Sequence, residues 1–261
     1  MYIDVHCHLT GEEYDGVGGV SEVIRRAQYQ GVERIVCSGF DLDSSLSAAE
    51  LSKRFDGVYF CAGFHPGELH KYRAGDLEKI AALCADEKCV AVGEIGLDYH
   101  FEDNPPKETQ RELFVKQLAL ADKAGLPVVI HSRDAAQETL ELLRENRELL
   151  KKGALLHCYS YSPEMAMEFS KLDVYFSFGG PATFKNAKKV WDSVRLIPAP
   201  RLLSETDCPY LTPVPYRGVF PNEPRHIPIV VERLAEIRET DVATLKTQIF
   251  ENAKRLFFKL K

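Results

Sequence analysis

The chain has 261 residues, a formal net charge of −6, 45% hydrophobic residues and 28% charged ones. That is enough apolar material for a large core, so no disulfide staple is needed, and the acidic balance excludes a broad basic surface gripping nucleic acid through many phosphates. No secretory leader or membrane-length apolar run is visible, and seven cysteines, an odd number at irregular spacing, predict free thiols in a reducing, cytoplasmic setting with no membrane contact.

The first strand is predicted over 2–5 and runs into Asp4-Val5-His6-Cys7-His8-Leu9. A helix over 21–30 ends at Gly31, a natural residue just past a helix C-terminus. A strand over 34–38 precedes a helix opening at Asp43-Ser44-Ser45 and running towards Phe55. Strands over 58–62 and 90–93 follow, then a long amphipathic helix over 108–124 closed by Gly125. Strands over 127–130 and 154–156 come next, and Ser162-Pro163-Glu164 reads as a cap followed by Pro in the first turn. The last strands lie over 174–178 and 201–204, and a final helix over 242–260 carries Lys and Arg near its end, where they suit the dipole.

The strands are short and rich in Val, Ile, Leu and Phe, as strands buried on both faces should be. Eight of them, spaced by roughly 30 residues and each followed by a helix or loop, predict an α/β fold, a (β/α)8 TIM barrel forming one domain over 1–261. An open doubly wound sheet fits less well, because no Gly-x-Gly-x-x-Gly follows the first strand.

Chemistry in such a barrel sits at the C-terminal ends of the strands. The first strand ends at His6 and His8, which alternation would point to one face, away from Cys7. The third runs into His65-Pro66, the fourth into Glu94, the fifth into His131, the sixth into His157 and the last into Asp207. Four imidazoles and two carboxylates, His6, His8, Glu94, His131, His157 and Asp207, exceed what one ion needs and suit two divalent metal cations. Glu94 is the expected bridge. His6, His8 and Asp207 would hold one ion, and His131 and His157 the other, because the strands that carry them are neighbours in a closed barrel. Zn, Mn, Fe or Ni suits this donor set, and Mg could occupy a loosely held position. Cys7, Cys158 and Cys208 each follow a candidate ligand directly, so alternation predicts that they face the packing and not the metals.

The stretches DVHCHL, GEIGLDYH (93–100), PVVIHSRDA (127–135), HCYS (157–160) and SETDCPYLTP (204–213) resemble the TatD family of metal-dependent hydrolases, amidohydrolase-like barrels, along essentially the whole chain. The resemblance implies a two-metal centre with the same six ligands and a metal-dependent deoxyribonuclease, often acting from the 3′ end. It also implies that His65 serves the phosphate side of the site. His100 stands where the family often has Tyr, and Tyr161 where it often has Gly. Pro221 stands where an Arg usually precedes the Asn, with Arg217 or Arg225 as the available replacements.

The expected reaction is phosphodiester hydrolysis by a hydroxide shared between the metals, with Asp207 and Glu94 as the catalytic carboxylates and His65 and Arg217 as substrate-binding groups. Glu205, Asp98 and Arg133 are expected in supporting roles. Single-stranded DNA or its 3′ end is the expected partner, with Lys185, Lys188, Lys189, Tyr161 and Phe184 at the rim, and the chain is expected to act as a monomer. A hydrolase of another ester or amide, such as the aminoacyl ester of a charged tRNA, would use the same metals.

Overall fold

The computed structural model describes residues 1–261. Eight parallel strands form one sheet in sequence order: β1 (Tyr2–Cys7), β2 (Val32–Ser38), β3 (Val58–Ala62), β4 (Cys89–Asp98), β5 (Val128–Arg133), β6 (Ala154–Leu156), β7 (Tyr175–Phe178) and β8 (Leu202–Ser204). The helices are α1 (Gly19–Tyr29), α2 (Leu42–Arg54), α3 (Asp76–Cys84), α4 (Lys107–Ala124), α5 (Ala136–Glu145), α6 (Pro163–Ser170), α7 (Lys188–Leu196), α8 (Ile227–Ile237) and α9 (Val242–Leu256). This is the TIM barrel that the strand spacing predicts. The ring closes between the C-terminal end of β1 and the segment just past β8, where Asp207 N donates to His6 O (3.0 Å) and His8 N donates to Cys208 O (2.7 Å). The seam is therefore sewn by candidate ligand residues themselves.

One cluster of 71 buried apolar residues fills the barrel and the layer between strands and helices. Each fully buried aliphatic side chain in it contributes about 1.5–3 kcal/mol relative to exposure. No helix is long and apolar enough to cross a membrane.

The fourth strand outruns the 90–93 expected of it and reaches Asp98. Gly93 and Gly96 would weaken an isolated strand, but here β5 demands them. A Cβ on Gly93 would stand 2.7 Å from Val129 Cβ, and one on Gly96 1.9 Å from the His131 carbonyl oxygen. Between Val92 and Ile95 the pairing with β5 slips by one residue, since Val92 faces Val128 and Ile95 faces Ile130. Such a bulge re-aims a side chain, and Glu94 lies inside it. A matching slip in β1, between Asp4 opposite Ile35 and Cys7 opposite Cys37, contains His6. β5 likewise continues past 130 to Arg133, paired with Asp98.

Helix ends follow their caps. Asp41 accepts from Ser44 N, and the Ser44 side chain returns to the Asp41 backbone, so α2 begins at Leu42 and not at Asp43. Ser162 accepts from Met165 N, as its sequence predicts. α9 stops at Leu256, short of 260, because Phe257 is fully buried and Leu260 N bonds back to Phe257 O. α3, α5, α7 and α8 have no counterpart among the expected helices.

Candidate metal centre

The six expected ligands converge at the barrel mouth around Glu94. Its Oε2 faces His6 Nε2 at 3.3 Å and His8 Nε2 at 3.4 Å. Its Oε1 faces His131 Nδ1 at 2.9 Å and His157 Nε2 at 2.8 Å. Asp207 joins the first group, its Oδ1 3.7 Å from His6 Nε2 and 3.6 Å from His8 Nε2. His6, His8 and Asp207 offer donor atoms all within 4.8 Å of one another, as do His6, Glu94 and His157. His131 Nδ1 and His157 Nε2 stand 3.2 Å apart.

Each imidazole turns one nitrogen to this centre and has an oxygen behind the other. Ser38 serves two of them, through its Oγ to His6 Nδ1 (3.1 Å) and its carbonyl to His8 Nδ1 (2.9 Å). Asp98 Oδ2 lies 3.1 Å from His131 Nε2. Glu205 Oε1 faces His157 Nδ1 at 3.6 Å, and these two buried atoms have no other partner. A cation on His157 Nε2 would confine the proton to Nδ1 and draw it onto Glu205. With four imidazoles and two carboxylates pre-aimed in this way, the residues fit divalent-cation binding.

The charges agree. Burial opposes ionisation of Glu94, but His157, His6 and His65 around it hold the carboxyl well below the usual carboxylate range. Burial opposes protonation of His157, yet Glu94 and Glu205 lift its pKa well above the ordinary imidazole value. Burial and then His157 push His6 down. An anionic carboxylate among imidazoles that differ in proton affinity is an environment in which a cation displaces a proton.

The family described as TatD related DNase matches residues 3–258. The chain belongs to the TatD family. This family member is 45% identical over 257 residues to YabD of Bacillus subtilis (strain 168), named a metal-dependent hydrolase, across 98% of this chain and 99% of that protein. It is 32% identical over 258 residues to the 3'-5' ssDNA/RNA exonuclease TatD of Shigella flexneri, across 97% and 98% of the two chains. The crystal structure of YJJV, the TatD homolog of Escherichia coli K12, superposes with a TM-score of 0.92 at 30% identity over 98% of each chain. The protein is thus a TatD-family metal-dependent hydrolase.

Other residues singled out in the sequence divide sharply in this TatD-family site. His65 points in: its Nδ1 accepts from Gly67 N (3.0 Å), which leaves the proton on Nε2, 3.7 Å from Glu94 Oε1. Burial and then His131 press its pKa down to about 3, so the ring is neutral. Asp98 and Glu205 take supporting places. Arg217 does not reach the ligands; it lies on the exposed 214–220 stretch with its guanidinium 4.2 Å from the Phe184 ring centroid. Arg225 is drawn to Glu223, Nε to Oε2 at 3.3 Å. Arg133 is exposed and lies over Phe101. The Tyr161 hydroxyl is tied to Ser132 Oγ (3.0 Å) and Ala135 N (3.2 Å), a bracing role and not a rim role.

Two of the three cysteines face the packing, as expected of them. Cys7 and Cys208 are fully buried, and Cys7 Sγ donates to Val36 O. Cys158 is only half-buried, and burial and then the charges of Glu205 and Asp207 push its thiol pKa up. β6 ends at Leu156 and Cys158 has φ of +45°, so strand alternation does not extend to it. Ser38 escaped the sequence reading; its only signal is its place at the end of β2, beside β1. Asn222 also escaped it. Its Nδ2 donates to Thr206 O (3.0 Å) and Tyr210 O (2.7 Å), pinning the turn that carries Asp207 at φ of +53°.

Proposed function

We propose that this hydrolase is a deoxyribonuclease that removes nucleotides from the 3′ end of single-stranded DNA and works with two divalent cations. The observation that carries the reading is Glu94, whose two oxygens each face a separate pair of imidazole nitrogens. Cations bound there supply Lewis-acid activation of water and neutralise charge developing on a phosphoryl group. Asp207, whose side chain is 15% exposed, is the ligand carboxylate with the most access to solvent and accepts the proton of the attacking water. His65, neutral with its proton on Nε2, donates to a phosphate oxygen of the substrate.

The rim supports a single-stranded polyanion. Lys185, Lys188 and Lys189 are exposed where the chain leaves β7 and enters α7, and the helix N-terminus adds positive potential. Tyr210 and Phe220, exposed on the 208–223 segment, offer faces on which bases stack. The activity for which the Shigella relative is named, 3'-5' exonuclease, supports the 3′ polarity. All six ligand side chains come from one chain, so a monomer suffices.

The test starts from protein stripped with chelator and resupplied with Mg²⁺, Mn²⁺ or Zn²⁺ in turn, with end-labelled single-stranded DNA and a Glu94→Ala control. A metal-dependent ladder shortening from the 3′ end, absent in the control, is the expected result. Metal uptake without cleavage of DNA would overturn the nuclease reading and move the substrate to another ester, with aminoacyl-tRNA the first to assay.

A further inference from the structure

α4 presents two glutamines seven residues apart, Gln110 and Gln117, two turns along one helix face. Both are 1% exposed. Each grips the backbone of a single residue at the barrel mouth by both of its polar groups. Gln117 Oε1 accepts from Phe64 N (2.8 Å), and its Nε2 donates to Phe64 O (3.0 Å). Gln110 Oε1 accepts from Asp98 N (2.8 Å), and its Nε2 donates to Asp98 O (2.9 Å) and Pro105 O (2.8 Å).

A primary amide used in this way takes the place of the next strand. The N–H and C=O of one strand residue face the same neighbour, and successive residues alternate sides. Tyr99 N bonds to Arg133 O on β5, so the Asp98 groups face the other side, where β3 has already ended at Ala62. Phe64 lies two residues beyond that end. The buried backbone groups at both places need partners, and α4 supplies them.

The gripped residues bear on the metal centre. Phe64 precedes His65, whose Nε2 is aimed at Glu94. Asp98 carries the carboxylate behind His131. We infer that Gln110 and Gln117 are positioning residues for the centre: Gln110 fixes the backbone from which Asp98 holds His131, and Gln117 fixes the backbone that aims His65. The Gln117 half rests on the phosphodiesterase reading, whereas the Gln110 half needs only metal dependence.

The experiment uses the full chain, stripped with chelator, as the Leu and Glu variants of each glutamine. Mn²⁺ affinity is measured by calorimetry. Turnover of bis(p-nitrophenyl) phosphate and of end-labelled single-stranded DNA is measured at saturating Mn²⁺, well below each variant's Tm. Gln110→Leu should weaken Mn²⁺ binding about 10–100-fold, as loss of support behind a ligand does. Gln117→Leu should keep Mn²⁺ affinity within about twofold and lower kcat about 10–100-fold, the cost of a misaimed group. The Glu variants keep size and the acceptor for the N–H while losing the amide donor, so each should fall between parent and Leu; where a Leu variant fails to fold, its Glu variant decides. Lowered Tm with parental Mn²⁺ affinity and turnover would reduce both glutamines to ordinary backbone support and overturn the inference. Loss of Mn²⁺ affinity in the Gln117 variants would overturn its assignment to His65. If the parent protein cleaves neither ester, the phosphodiesterase reading fails, and Mn²⁺ affinity still decides the Gln110 half.

Discussion

The two flanks of Glu94 are built from the same ring and braced differently. On one side, His6 and His8 rest on neutral oxygens, the hydroxyl and carbonyl of Ser38. On the other, His131 and His157 face the carboxylates of Asp98 and Glu205. A carboxylate behind an imidazole makes it a stronger donor to a cation, and charge-assisted hydrogen bonds are roughly twice as strong as neutral ones. The β5–β6 flank is therefore the firmer holder. The β1 flank includes Asp207, with its access to solvent, and is the side where a proton can leave.

The largest effect belongs to the one side chain that both flanks share. Glu94→Ala should lower turnover by about 10³-fold, about 4 kcal/mol of barrier, and elemental analysis should show metal lost from both positions. Parental metal content and activity would dissolve the comparison altogether.

Next come the supports. Asp98→Asn and Glu205→Gln should each weaken Mn²⁺ binding about 10–100-fold. Ser38→Ala, which removes a neutral hydroxyl while keeping the carbonyl on His8, should cost about tenfold or less. Calorimetric titrations that reverse this order would show that the carboxylate-backed flank is not the firmer one.

A further variant separates support of the site from support of the fold. Glu223 is buried and takes two bonds from Arg26 on α1, Nε at 2.9 Å and Nη2 at 3.0 Å. Glu223→Gln strands a half-buried guanidinium and should cost about 2 kcal/mol in urea unfolding, with Mn²⁺ affinity of the folded protein kept within about twofold.

The smallest expected effect is a pH dependence behind the Asp207 flank. His226 Nδ1 lies 2.8 Å from Asn222 Oδ1, the residue that pins the Asp207 turn. Burial and then the Arg225 charge press its pKa down to about 4. The ordinary imidazole titrates near 6.5. The stabilisation from keeping this ring neutral is therefore complete above about pH 6.5 and lost as pH falls through about 4. Discounted for screening, it amounts to about 1 kcal/mol. Unfolding free energies of the parent from urea titrations should drop over that window by this amount more than those of His226→Gln; parallel curves would assign the pH dependence elsewhere.

Much of this protein was legible in its chain. Eight apolar segments at even spacing determine a barrel, because a parallel strand must return by a crossover and a strand covered on both faces has no polar positions to spare. Barrel topology then turns sequence position into convergence, and so His6, His8, Glu94, His131, His157 and Asp207 could be picked out before any distance was known. Tertiary structure alone decided the rest. Gly93 and Gly96 belong inside β4 because Val129 and the His131 carbonyl, residues of another strand, come too close for a Cβ. Glu94 and His6 are aimed by bulges whose slip exists only once β5 and β2 lie alongside. Arg217 had the right charge and loop, but its guanidinium rests on Phe184. Ser38 and Gln110 carry no motif, and the motif around Asn222 does not tell its role; each matters because a backbone or imidazole group distant in sequence needs a partner at that point in space. A sequence lists donors and acceptors, but which donor meets which acceptor is settled only when the ring closes and buried groups must be satisfied.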